Sequence, residues 1–210
     1  KVTVTTWPYW GSLYVLTTPQ GANLPGSAFG TNFPLLVRLS PNNFTFSQAQ
    51  TNGSDIRFYL PNGTRLPHQI EEWNTNAGAA VWVLMPFIKG NTNQEFRMCW
   101  GLAGVTNESS GSAVFKTANG YACVMHLNRN VLDSTGSCTP TNNGAVTTTA
   151  VIGSATYNLA NGSIGCASVT NFPAGLNPPS TSVIWLRVRN FNSWSMPLCW
   201  GNSLDYGWNT

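Results

Sequence analysis

Short runs of apolar and β-branched residues recur along the chain, set apart by clusters of glycine, proline, asparagine and serine. They fall at Val2 to Trp7, Leu13 to Thr17, Pro34 to Leu39, Asp55 to Leu60, Ala80 to Met85 and Glu95 to Trp100. No window sustains the period of an amphipathic helix. In the run from Glu95 to Trp100, Phe96, Met98 and Trp100 point one way and Arg97 and Cys99 the other, the alternation of a half-buried strand. Pro61-Asn62-Gly63-Thr64 separates two such runs, and Asn-Gly accepts the positive φ angles of a tight hairpin. The pattern therefore predicts antiparallel pairing of Asp55–Leu60 with Leu66–Trp73.

From Gly101 to Gly120 the chain is small, polar and without alternation, and strand patterning restarts at Tyr121 to Leu127. Further strands are expected at Val146 to Ile152, Ser182 to Arg189 and Met196 to Trp200. The predicted organisation is a β-domain over 1–101, a linker or long loop over 102–119 and a second β-domain over 120–210. Met98-Cys99-Trp100-Gly101 and Leu198-Cys199-Trp200-Gly201 close a strand on the same words, which is too little to establish a repeat.

Composition leads to the expectation that this β-protein is secreted or at the cell surface. Only 8% of the 210 residues are charged, against about 25% in an average soluble protein, and solubility rests on amides and hydroxyls. Five Asn-x-Ser/Thr sequons, at Asn43, Asn52, Asn62, Asn107 and Asn161, are candidate glycosylation sites in that setting. The net charge of +3 comes from ten Lys and Arg scattered singly, so the electrostatic footprint of a nucleic-acid binder is missing. No apolar run approaches the ~18 residues of a membrane span. Because Lys1 opens directly on a strand pattern, the chain is read as a mature or excised portion, with any signal peptide or anchor outside it.

The cysteines Cys99, Cys123, Cys138, Cys166 and Cys199 lack metal-like spacing, and the only histidines are His68 and His126. No metal site is expected from them. Two disulfides among the last four are expected in an oxidising compartment, with Cys99 alone or paired with Cys199, and the pairing stays open.

Four stretches resemble the domain of unknown function 2341 family. They are Gly53-Ser54-Asp55-Ile56-Arg57-Phe58, Gly63 through Trp73, Ala80-Val81-Trp82-Val83 and Met98-Cys99-Trp100-Gly101, and the likeness extends over most of residues 7 to 101. The resemblance implies a β-sandwich of bacterial and archaeal surface proteins, often standing before a concanavalin A-like or laminin-G-like jelly roll, with no established catalysis. Val124 to Asn128, Asp133 to Gly136 and Ser182 to Val188 are similar to the opening half of such a lectin-like domain. The fold class expected is thus all-β, an antiparallel sandwich followed by a partial jelly-roll-like sandwich. A chain continuing beyond this portion, a reduced second sandwich, or strands added by a neighbouring molecule would each account for the shortfall.

Glu71 and Glu72 are the carboxylate pair a glycosidase would need, but neighbours on a strand face opposite ways unless a bulge intervenes. Arg57 and Glu71 are read instead as a cross-strand ion pair holding the predicted hairpin in register. His68 and His126 lie in apolar strands with no nucleophile at a telling spacing. Asp133-Ser134-Thr135-Gly136 is an Asp-initiated turn, and calcium is the one cofactor it could hold. Trp7-Pro8-Tyr9-Trp10 crowds aromatics, and Tyr9 and Trp10 are candidate carbohydrate-stacking residues.

The function expected is a non-catalytic structural or adhesive subunit, secreted or at the cell surface, self-associating into a layer or filament. A carbohydrate-binding module that takes glycans is the alternative, and a glycoside hydrolase a further one.

Overall fold

The computed structural model of the chain describes residues 6–148, 156–158, 162–169, 172 and 179–185. Two compact units divide it, Lys1–Thr170 and Asn171–Thr210. In the first, two antiparallel sheets face each other. One contains β1 (Tyr9–Leu16), β7 (Asn93–Trp100), β3 (Arg57–Tyr59) and β4 (Arg65–Leu66), in that spatial order; the other contains β2 (Phe29–Leu39), β6 (Gly78–Lys89) and β5 (His68–Asn74). The protein is all-β, as the alternation predicts.

The core lies between the sheets because the inward parity of each strand is apolar. Phe58 from β3, Phe96 and Met98 from β7, and Leu66 from β4 meet Val37 and Leu39 from β2 and Val81, Val83 and Met85 from β6. Burying a side chain as large as Phe58 contributes roughly 1.5–3 kcal/mol. The segment after β2 closes one end, where Phe44 packs edge-on against Phe46, Trp73 and Trp100 at centroid distances of 5.0, 5.9 and 5.1 Å.

The hairpin predicted around Asn62-Gly63 forms, with Gly63 at φ 84°, but it is only one short pairing long. Phe58 and Tyr59 pair with Leu66 and Arg65, and after Pro67 the chain crosses to the opposite sheet, where His68–Asn74 pairs with β6. Arg57 and Glu71 therefore stand on different sheets.

Residues 102–119, expected as a linker or long loop, run as irregular chain over 102–110 and then as two short helical turns. They return to the outer face of β5 and β6 through α1 (Gly111–Val114), a single turn whose first residues are capped by the Ser110 hydroxyl accepting from the Ala113 N–H. Val114 and Phe115 pack with Leu84 and Trp82, joined by Tyr121 and Val124. Both faces of β6 are thereby covered, which accounts for its nearly unbroken apolar run.

Tyr121–Leu127 is not a strand; Tyr121 and Val124 pack on this surface, and Leu127 turns to φ 54°. Beyond it, β8 (Thr141–Asn143) pairs with β11 (Ser163–Gly165), and β9 (Val146–Thr148) with β10 (Thr156–Asn158). The strand expected at Val146 to Ile152 is described only as far as Thr148, and the one expected at Met196 to Trp200 lies outside the described residues. Residues 182–185 of the strand expected at Ser182 to Arg189 are not in a strand. No described helix is long and apolar enough to cross a membrane.

Candidate functional site

A sandwich of two open sheets has four edges, and an unpaired edge is a template for another strand unless the sequence guards it. Three are guarded here. On β2, Pro34 lacks an N–H and Asn32 turns the backbone to φ 51°. β4 is two residues long and carries Arg65. On β5 the Ile70 N–H donates to Ser109 Oγ, the Ser110 N–H donates to the His68 carbonyl, and a bulge falls between Ile70 and Glu72.

The fourth edge is β1, Tyr-Trp-Gly-Ser-Leu-Tyr-Val-Leu, with no charge, no proline and no bulge. Among the described residues it pairs with β7 alone. Among the described residues only its last residue is covered, where the Ala22 N–H donates to the Leu16 carbonyl. Seven of the large hydrophobic side chains left exposed come from residues 9–33: Tyr9, Trp10, Tyr14, Leu16, Leu24, Phe29 and Phe33.

Period-2 alternation sorts the β1 side chains. Gly11, Leu13 and Val15 turn inward, while Trp10, Ser12, Tyr14 and Leu16 turn outward beside Cys99, Arg97, Glu95 and Asn93 of β7. Tyr9 and Trp10, joined as a candidate pair by sequence, consequently separate: Tyr9 stacks on Trp100 at 6.1 Å, and Trp10 lies on the outer face. There the Arg97 guanidinium sits 5.6 Å from the Trp10 ring centre. Arg97 Nε donates to Glu95 Oε1 at 3.0 Å, and the same oxygen accepts from the Ser12 hydroxyl at 2.7 Å. The Ser12 hydroxyl and then Arg97 hold the Glu95 carboxyl below the usual carboxylate range. The strand expected at Leu13 to Thr17 begins at Tyr9, which brings Ser12 into it, while Val2 to Thr5 of the strand expected at Val2 to Trp7 lie outside the described residues. Tyr14, Glu95 and Arg97 lay in expected strands but were not singled out, because the sequence does not show that the two strands pair.

The remaining candidates are accounted for elsewhere. Arg57 does not meet Glu71. Its Nε lies 3.3 Å from Glu108, and its terminal nitrogens donate to the Ser54, Ile56 and Thr106 carbonyls. Glu71 Oε2 accepts from Trp82 Nε1 at 2.6 Å and lies 3.5 Å from His126 Nδ1. The bulge on β5 does bring Glu71 and Glu72 to one shallow cleft of about 390 Å³, with Trp73, Asn128 and Arg129. Within it Glu72 accepts from Asn128 Nδ2 at 3.4 Å, so both carboxylates have structural donors.

His126 stacks on Trp82 at 5.5 Å, and burial lowers its pKa against the opposing pull of Glu71. His68 is buried against Phe58.

Asp133 closes a turn around its own carboxylate. Oδ1 accepts from the N–H groups of Val124 and Thr135, and Oδ2 from those of Ser137 and Cys138 and from the hydroxyls of Thr135 and Ser137. Burial raises its pKa, but the bonds from Thr135, Val124 and Cys138 outweigh that and pull it below the ordinary value. Donors rather than spare oxygens converge here, so this is the Asp-initiated turn and not a calcium site. Asp133→Ala is expected to cost about 2 kcal/mol, read from urea unfolding, by stripping acceptors from these N–H groups.

Cys138 and Cys166 form a disulfide with Cα atoms 6.0 Å apart. Cys123 Sγ lies within 4.8 Å of both sulfurs as a free thiol, and burial pushes it up to about 11. Cys99 is free and buried beneath Trp7 and Tyr59, its thiol likewise pushed up to about 11 by burial. Cys199 lies outside the described residues. Asn43, Asn52, Asn62 and Asn107 are exposed in turns, where each side-chain oxygen accepts a backbone N–H. Asn161 lies outside the described residues.

Residues 52–122 match the family described as Domain of unknown function (DUF2341). The match runs from just before β3 through α1, so the helical turn on the outer face of β6 falls within the matched residues. The strand β1 and the lectin-like stretches expected beyond residue 122 lie outside it. No curated protein and no solved structure matches the chain.

Proposed function

We propose that this chain is a non-catalytic, secreted or cell-surface structural and adhesive subunit that joins further copies of itself by strand addition at β1. One observation carries the reading: of four sheet edges, three are guarded and β1, among the described residues, is not. An uncharged strand left open in a chain this poor in charge favours pairing with a second copy over remaining free. A low-charge surface, a disulfide and four exposed sequons support placement outside the cell.

Sedimentation velocity over a range of concentrations tests it. The wild-type chain is expected to grow beyond monomer as concentration rises. Leu16→Lys adds a charge at an already exposed position, and Val15→Lys adds one on the half-buried side of the strand; each is expected to shift the population back to monomer. A wild-type chain that stays monomeric throughout, or association unchanged in both variants with circular dichroism intact, contradicts the proposal.

A further inference from the structure

We propose that the outer face of β1 and β7 is a binding platform for an extended, neutral polysaccharide, with Trp10 and Tyr14 as its two stacking surfaces. This site is separate from the backbone edge that joins copies, because it uses side chains projecting from the sheet face.

Trp10 and Tyr14 are 54% and 56% exposed on the same side of one strand. Four residues of strand place them roughly 13 Å apart. That is longer than one pyranose ring, so the ligand is a chain lying along β1 and not a single sugar.

An exposed indole on a surface normally loses rotamer freedom when it binds, which weakens the complex. Here that freedom is already restricted. The Arg97 guanidinium stacks against one face of Trp10, Glu95 holds Arg97, and Ser12 holds Glu95, leaving the other face of the ring for a ligand. Sugar rings present apolar C–H faces to aromatic rings and hydroxyls around their rims, and the Ser12–Glu95–Arg97 row supplies donors and acceptors between the two aromatics. Glu95 and Arg97 neutralise each other, so the platform attracts no net charge, which selects a neutral polymer.

Affinity electrophoresis of the full chain in native gels containing hydroxyethyl cellulose, xylan or galactomannan tests this, with polygalacturonate as the charged comparison. The wild-type chain is expected to be retarded by at least one neutral polymer. Trp10→Ala and Tyr14→Ala should each weaken that affinity about tenfold, the equivalent of ~1.4 kcal/mol. Tyr14→Phe, which keeps the ring, should retain it. Arg97→Lys, which loses the planar stack and the fork to Glu95, should weaken it with the fold intact. Val15→Lys, on the opposite side of the strand from Trp10 and Tyr14, should bind as wild type with circular dichroism intact, which separates failure of the platform from failure of self-association. Retardation by the charged polymer alone, by none of the polymers, or to the same degree in a Trp10→Ala/Tyr14→Ala double variant overturns the proposal.

Discussion

Replacing Arg57 by methionine is expected to destabilise the sandwich by about 3 to 5 kcal/mol, the largest single-residue loss in the polar framework. Arg57 is 2% exposed, and its guanidinium satisfies the carbonyls of Ser54, Ile56 and Thr106. Methionine fills similar volume but leaves those three oxygens without their charged donor. The Thr106 bond also ties the chain after β7 back across the first sheet, where Leu102 and Val105 cover Cys99. Glu108 contributes less, because its side chain is 37% exposed and water screens the pair. Glu108→Gln should therefore cost less than about 1 kcal/mol in the same guanidinium chloride unfolding series. Equal losses for the two variants would show that the ion pair, and not the carbonyl bonds, gives Arg57 its importance.

Acidification is the second large effect, and His68 drives it. Its side chain is buried in the core, where burial first and then the charges of Arg57 and Arg65 lower its pKa to about 4. In the unfolded chain the ring takes up a proton near its ordinary value of 6.5. Between these values the unfolded state binds more protons, so stability is complete above 6.5 and falls as pH drops toward 4. The interval corresponds to about 3 kcal/mol. His126, also lowered by burial though opposed by Glu71, adds to the loss in the same direction. His68→Phe should flatten most of this dependence between pH 7 and pH 4, leaving the smaller part due to His126. An unchanged slope in that variant would place the acid sensitivity elsewhere.

The strands of the first sandwich were legible because alternation and turn residues agree at each of them. Phe96 and Met98 face the core and Arg97 the outside, as the spacing requires. The sheet to which each strand belongs was not legible. Leu66 to Trp73 reads as one strand, yet Pro67 interrupts it, with Leu66 pairing in one sheet and His68 in the other. A one-residue change of partner leaves no periodic signal, and it is what separates Arg57 from Glu71. The turn α1 was missed because four residues cannot display a helical period, and only the Ser110 cap marks it.

Tyr121 to Leu127 reads as a strand because apolar residues are spaced along it. Its polar backbone is satisfied differently: the Val124 N–H donates to Asp133, and the Val124 carbonyl accepts from Ser134. A partly buried segment still needs its inward hydrogen bonds met, and a side-chain turn meets those of Val124 here instead of a ladder. The candidate site was half legible. Trp10 was singled out for its aromatic face, but its partners Ser12, Glu95 and Arg97 become visible only once β1 is paired with β7.

Hydrogen exchange measured at low and high protein concentration tests most directly whether β1 is the joining edge. Alternate amides of Tyr9 to Val15 that point away from β7 should exchange readily when the chain is dilute and slow markedly when it is concentrated, while those of β2 remain unchanged. Exchange along β1 that is independent of concentration, or protection that appears along β2 instead, would contradict assembly through this strand.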